Sequence, residues 1–326
     1  MTRAYLAFTD TGLALAKRLA DALPGSVARC GQDGVSLAAW TSMQFVQSDA
    51  LIFVGAAGIA VRAIAPHCKS KTTDPAVVVV DECGRFAVPI LSGHLGGAND
   101  LARAIAAVCG AVPVITTATD AHGIFAVDEW AKHQNCMVLE PERIKLVSGK
   151  LLAGQPAYYW TDFPVTGTAP AGLCPADAPE KADLALTLCP TGQALHLVPR
   201  IGVLGIGCKR GTSADTLEAA FAAFCARHGL AAQAVTAAAS IDLKQNEPGL
   251  LAFCQAHGWP VRFYSAAQLR SAPGQFTPSP FVQSVTGVDN VCERAAVLDA
   301  GGSLFYPKFA CSGVTFALAC RPFAPD

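Results

Sequence analysis

Short, strongly apolar runs alternate along this chain with stretches of helical period, and turn residues mark most of the changes. In the first third, Ala4 to Phe8 predicts a strand and Thr11 to Leu23 a helix. Leu51-Ile52-Phe53-Val54 has the pattern of a buried strand and leads through Gly55-Ala56-Ala57-Gly58 into a helical run, Ile59 to Ile64. Val77 to Asp81 and Phe86 to Leu91 flank Glu82-Cys83-Gly84-Arg85, which predicts a hairpin. A helix over Ala98 to Cys109 and a buried strand over Val112 to Thr116 follow. This order predicts an α/β layer with a mostly parallel sheet and one antiparallel hairpin.

The texture then changes. Glu142 to Leu152 predicts a short helix, and a proline- and glycine-rich loop runs from Pro164 to Pro179. Tyr158-Tyr159-Trp160 precedes that loop, and two short strands, Leu184 to Leu188 and Leu195 to Val198, come after it. The pattern returns with a strand at Ile201 to Gly207 and an amphipathic helix at Thr212 to His228. Helices over Glu247 to His257 and Asp289 to Leu298, strands over Val261 to Tyr264 and Val314 to Ala319, and a capping box at Ser265 to Gln268 complete it. The expected fold class is therefore α/β. Two α/β domains with mostly parallel sheets, residues 1–140 and 199–326, are joined by a small β-rich, proline-rich connector or insertion at 141–198.

Composition narrows the function classes. With 52% hydrophobic and 15% charged residues, the chain is globular rather than disordered. A net charge of −1 gives no electrostatic case for nucleic acid. No apolar run approaches the ~20 residues of a membrane span, and Met1 to Phe8 predicts no signal peptide. A cytoplasmic location without membrane attachment is the expectation. The 13 cysteines are scattered without a Cys-x-x-Cys pair, so we expect packed thiols rather than a zinc site or a disulfide framework.

Candidate chemistry concentrates in Leu91-Ser92-Gly93-His94-Leu95-Gly96-Gly97-Ala98-Asn99-Asp100, a glycine loop with one histidine that opens a helix. The helix start offers N–H groups suited to an anion, and an imidazole there is a proton carrier near neutral pH. The next strand ends in Thr116-Thr117-Ala118-Thr119-Asp120, so two strand ends carry polar clusters. Gly55 and Gly58 form a third strand-to-helix turn, expected to line the same mouth. Gly205-Ile206-Gly207-Cys208-Lys209-Arg210-Gly211-Thr212 is a fourth. It is neither a P-loop, because Lys209 precedes Gly211, nor a dinucleotide fingerprint, because Arg210 stands where the third glycine belongs. Backbone donors with Lys209 and Arg210 suit carboxylates or phosphates. Lys244, Glu247, Glu293 and Lys308 are expected at the solvated surface.

Taken together, these strings resemble the cobalamin-biosynthesis protein G family (CbiG). The resemblance rests on Val54 to Arg62, Leu91 to Asn99, Val114 to Asp120, Gly205 to Thr212 and Thr286 to Glu293. It covers nearly the whole chain, and the C-terminal part also resembles the CobE proteins. What it implies is cobalt-precorrin-5A hydrolase activity in anaerobic cobalamin (vitamin B12) biosynthesis. A ring A δ-lactone of a cobalt tetrapyrrole is opened and acetaldehyde released, giving cobalt-precorrin-5B. It implies no organic cofactor, since the cobalt is carried by the substrate, and transient contact with the pathway's methyltransferases.

The residues themselves suggest roles that the resemblance does not supply. His94 or Asp120 would activate water as the catalytic group. N–H groups near Gly96, Gly97 and Ala98 would hold the oxyanion. Substrate contacts are expected from Ser92, Gly93, Gly96, Gly97, Asn99, Gly55, Gly58, Thr117 and Thr119. In the last domain they are expected from Gly207, Lys209, Arg210, Gly211 and Thr212. No metal site of the protein's own is expected. The rival reading is a corrinoid carrier or scaffold that binds tetrapyrrole unchanged.

Overall fold

The computed structural model describes residues 1–70 and 73–325. The chain divides into two units, Met1–Lys132 with Ile144–Gly154, and His133–Arg143 with Gln155–Asp326. The first is built on six strands: β1 (Arg3–Ala7), β2 (Ser26–Arg29), β3 (Ala50–Val54), β4 (Ala76–Val80), β5 (Phe86–Leu91) and β6 (Val112–Pro113). Their order in the sheet is β2-β1-β3-β4-β5-β6. All neighbouring pairs are parallel except β4 and β5, the expected hairpin.

Every residue of β3 and β4 is buried, as expected of central strands covered on both faces. On one face, Leu15 and Leu19 of α1 (Asp10–Ala22) pack with Leu101 and Ile105 from a later helix. On the other, Trp40 of α2 (Leu37–Gln47) and Ile64 of α3 (Ala57–Ile64) cover Phe53, with the Trp40 and Phe53 rings 5.6 Å apart. That later helix, α4 (Ala98–Cys109), lies between β5 and β6, and α5 (Ala118–Ala121), α6 (Val127–His133) and α7 (Ile144–Leu152) come after the sheet. The expected buried strand at Val112 to Thr116 shrinks to the exposed edge pair Val112–Pro113. Pro113 has no N–H for a further neighbour, which suits an edge.

The second unit holds two sheets. The stretch expected as a connector or small β-rich insertion forms β8 (Ala157–Thr161), β9 (Leu173–Pro175), β10 (Leu184–Leu186) and β11 (Leu195–Pro199), which join β7 (Cys136–Val138), a strand from the end of the expected first domain, in a sheet ordered β7-β11-β10-β8-β9. Leu188 and Val198 belong to the same buried cluster as Leu204, Phe221 and Phe316, so no boundary falls near residue 198. The last sheet contains β12 (Gly202–Cys208), β13 (Val235–Ile241), β14 (Val261–Tyr264), β15 (Ser303–Cys311) and β16 (Val314–Cys320), ordered β14-β13-β12-β16-β15. Its helices are α8 (Ala214–His228), α9 (Pro248–Ala256), α10 (Ala266–Arg270), α11 (Pro280–Thr286) and α12 (Cys292–Ala300). The capping box of Ser265 and Gln268 is present. All 13 cysteines are free thiols, with Cys254 and Cys292 buried and Cys68 and Cys83 exposed. Among the described residues no helix is long and apolar enough to cross a membrane.

Two charges expected at the surface are buried. Glu293 is 0% exposed and accepts from the Thr277 N–H and hydroxyl, the Asn290 amide and the Lys308 N–H, at 2.7 to 2.9 Å. Glu247 is also buried, between the Gly211 N–H at 2.8 Å and the Lys244 ammonium at 3.0 Å. Both carboxylates are compensated by hydrogen-bond donors, the condition under which burial of a charge is tolerated.

Candidate active site

The histidine loop is shaped by its own packing. Beyond Leu91, the N–H groups of Gly97, Ala98 and Asn99 donate to the carbonyls of His94, Ser92 and Gly93 at 2.9 to 3.1 Å. The start of α4 is thus largely satisfied from within. Of the oxyanion cradle expected near Gly96, Gly97 and Ala98, the Gly97 and Ala98 N–H groups are already taken. A Cβ on Gly96 would stand 2.3 Å from Ser92 Cβ, so this glycine lets the loop close on itself. Gly97 has φ +84, and the Lys132 ammonium occupies the space beside it, 1.8 Å from where a Cβ would be. Gly93 likewise leaves room for the Asn99 amide, whose oxygen lies 2.8 Å from a would-be Cβ.

This closure presents His94 to two carboxylates. Its Nε2 lies 2.9 Å from Asp120 Oδ2, and its Nδ1 lies 3.1 and 3.2 Å from the two oxygens of Asp128. The three side chains are 13%, 13% and 10% exposed. Asp120 also accepts from the Thr117 hydroxyl, from Asn99 Nδ2 at 3.2 Å and from Arg103 Nη2 at 2.5 Å. Arg103 lies one helical turn beyond Asn99 on α4. Its other nitrogen, Nη1, reaches Glu129 at 2.7 Å and Asp100 at 3.1 Å. Thr119 is buried, and its hydroxyl has no partner among the described residues.

The electrostatics fix the charge of the imidazole. The hydrogen bond to Asp128 pushes the His94 pKa up to about 9; burial opposes it, and Asp120 adds to the rise. Burial raises Asp120, but the Thr117 hydroxyl, His94 and Arg103 outweigh it and hold the carboxyl below its usual range. At neutral pH His94 is therefore an imidazolium with both N–H groups directed at carboxylates. In that state it has no lone pair with which to take a proton from water. Donor atoms of His94, Asp120 and Glu129 lie within 4.8 Å of one another, a spacing that could hold a metal ion. Arg103 already bridges Asp120 and Glu129 with a cation.

Sequence reasoning placed His94, Asn99, Thr117 and Asp120 in one cluster, and the structure brings them together. It does not bring Gly55 and Gly58 there. Leu91 pairs with Val77 at the start of β4, whereas Gly55 donates to Val80 O at its end. Because β5 runs against β4, the β3 turn and the His94 loop leave the sheet at opposite ends of its strands. β6 runs parallel to β5, which is why Thr117 and Asp120 arrive beside His94. Asp128, Glu129 and Lys132 were not anticipated. Their only local sign is an acidic first turn on α6, and Asp128 meets His94 across 34 residues of chain.

The glycine loop of the second unit is also packed rather than open. A Cβ on Gly205 would meet the Cys292 carbonyl oxygen at 1.8 Å, and one on Gly207 would meet Thr315 Oγ1 at 2.4 Å. The Gly211 N–H is taken by Glu247, and the Thr212 hydroxyl donates to Lys209 O at 2.8 Å. Lys209 and Arg210 remain exposed.

Comparison with known proteins agrees with the resemblance seen in the sequence. Residues 39–120 match the family described as Cobalamin synthesis G N-terminal, and residues 202–319 match Cobalamin synthesis G C-terminus. A cobalt-precorrin-5A hydrolase of Salmonella typhimurium is 35% identical over 338 residues, covering 97% of this chain and 96% of its own. A protein of the same name from Priestia megaterium is 33% identical over 295 residues, 84% of this chain and 79% of its own. Protein CobE of Sinorhizobium sp is 35% identical over 136 residues, 40% of this chain and 88% of its own. Both the histidine loop and the Gly205 to Thr212 loop lie inside the matched ranges, and the chain belongs to the cobalamin synthesis G family.

Proposed function

We propose that the chain is a cobalt-precorrin-5A hydrolase whose reacting group is His94. The observation that carries this reading is the imidazolium held between Asp120 and Asp128, in a chain whose relatives bear that name. Opening a lactone requires water to attack the carbonyl and a proton to reach the departing alkoxide. His94 supplies that proton, Asp120, which accepts from Thr117, Asn99 and Arg103, orients the water, and the proton that the water gives up leaves to solvent as the new carboxylic acid ionises. His94 is then neutral and beside the hydroxyl it has just created. It takes the same proton back as the carbon–carbon bond breaks. The electron pair passes to the conjugated macrocycle, and the two-carbon unit departs as acetaldehyde. Lys209 and Arg210 are the proposed contacts for peripheral carboxylates of the substrate.

The test supplies cobalt-precorrin-5A and traps acetaldehyde with alcohol dehydrogenase and NADH. Wild-type protein should consume NADH, and His94→Gln should be slower by about 10²–10⁴-fold. Undiminished turnover in His94→Gln removes His94 from the reaction. Tight binding of the corrinoid with no aldehyde from wild-type protein favours the carrier reading.

A further inference from the structure

The two carboxylates at His94 are not equivalent. Asp120 divides its charge among several donors, Arg103 included. Among the described residues no lysine or arginine pairs with Asp128, and His94 is the only cationic side chain it meets there. Asp128 is also held still. It is 7% exposed in the first turn of α6, and Oδ1 accepts the Glu129 N–H at 3.2 Å. A carboxylate anchored at a helix start and contacting Nδ1 through both oxygens leaves the ring little freedom to turn.

We propose that Asp128 is the positioning residue of this site: it holds Nδ1, so that Nε2, which faces Asp120 Oδ2 at 2.9 Å, is the nitrogen through which a proton is handed over. The inference rests on the hydrolase reading only for the reaction that His94 serves. Holding one ring nitrogen against a buried carboxylate fixes the tautomer left after proton transfer, with hydrogen on Nδ1 and the lone pair on Nε2. That neutral form is the base needed for the second step proposed above. Asp128 also stabilises the imidazolium, so His94 stays protonated in competition with its burial. The charged groups around His94 are Asp120 on α5 and Asp128 on α6, with Arg103 on α4 behind Asp120 and Glu129 behind Arg103.

The experiment follows the His94 ring protons by NMR against pH in the full-length protein, with His94→Gln identifying the resonance. In Asp128→Asn the His94 midpoint should fall by about one unit or more, because one adjoining negative charge is removed. Asp128→Glu, which keeps the charge, should recover part of that shift and also serves if the Asn variant folds poorly. In acetaldehyde release, the alkaline limb of kcat should move down with the NMR midpoint while KM stays constant. An unchanged His94 midpoint in Asp128→Asn overturns the proposal, as does an alkaline limb that does not move. If wild-type protein releases no acetaldehyde, the hydrolase reading fails on that result, and the NMR titration still decides what Asp128 does to His94.

Discussion

The carbonyl oxygen of Cys292, at the start of α12, lies 1.8 Å from the point a Cβ would occupy on Gly205 in β12. Helix and strand therefore touch through backbone, and only a glycine fits. Gly205→Ala must displace α12 from the sheet, and overpacking of this kind costs about 1–3 kcal/mol or more. Urea unfolding should show a lower midpoint. An unchanged midpoint would mean that α12 shifts at no cost.

Glu293 binds the segment around Thr277 and Asn290 to Lys308 of β15 through four donors. Glu293→Ala leaves those donors without their carboxylate partner, at about 1–3 kcal/mol for each that water cannot reach. We expect a clear loss of stability and faster proteolytic cutting between residues 277 and 290. A cutting rate equal to wild type would contradict this role.

The His94 clamp predicts a pH signature in stability. The folded pKa, about 9, lies above the free value of 6.5. Its contribution is thus fully present below about pH 6.5 and is lost as the pH rises through 9. Asp120 has the opposite sign: its folded value lies below 3.8, so its contribution is present above that pH and disappears as the pH falls through the lowered value. The Tm advantage of wild type over His94→Gln should be largest near pH 6 and shrink by pH 10. A difference that is flat across that range would show that His94 is not clamped as an imidazolium.

Gly58 is exposed in α3, and a Cβ there would meet nothing within 4 Å. Gly58→Ala should raise stability by about 0.5–1 kcal/mol through the lost freedom of the unfolded chain. The proposed acetaldehyde release should be unchanged, because the β3 turn leaves the sheet at the strand ends away from His94. A large loss of activity would put the Gly55 to Gly58 turn back among the substrate contacts.

Much of the fold was legible in local pattern. The run Ala98 to Cys109 becomes a helix with those bounds, ended by Gly110 at φ +77. The hairpin of β4 and β5 follows from two β-branched runs around a short glycine turn. β13 was not legible, because Val-Thr-Ala-Ala-Ala-Ser-Ile is rich in alanine, whose intrinsic preference is helical. It is a strand because small side chains fit a fully covered central position between β12 and β14. β15 was missed for another reason: Pro307 interrupts it, which only an edge strand accommodates.

The sequence by itself determined that a titratable histidine sits in a glycine loop between a strand and a helix, with Asn99, Thr117 and Asp120 at hand. It also determined the family, through motifs in both matched regions. Tertiary structure decided what the histidine is. The antiparallel turn into β5 sent the loop to the strand ends away from Gly55, and α6 brought Asp128 to Nδ1 from 34 residues away. The loop carbonyls also took the helix N–H groups that local reading assigned to a ligand. Strand direction, ring charge and the occupancy of N–H groups all depend on partners distant along the chain, and no local pattern encodes them.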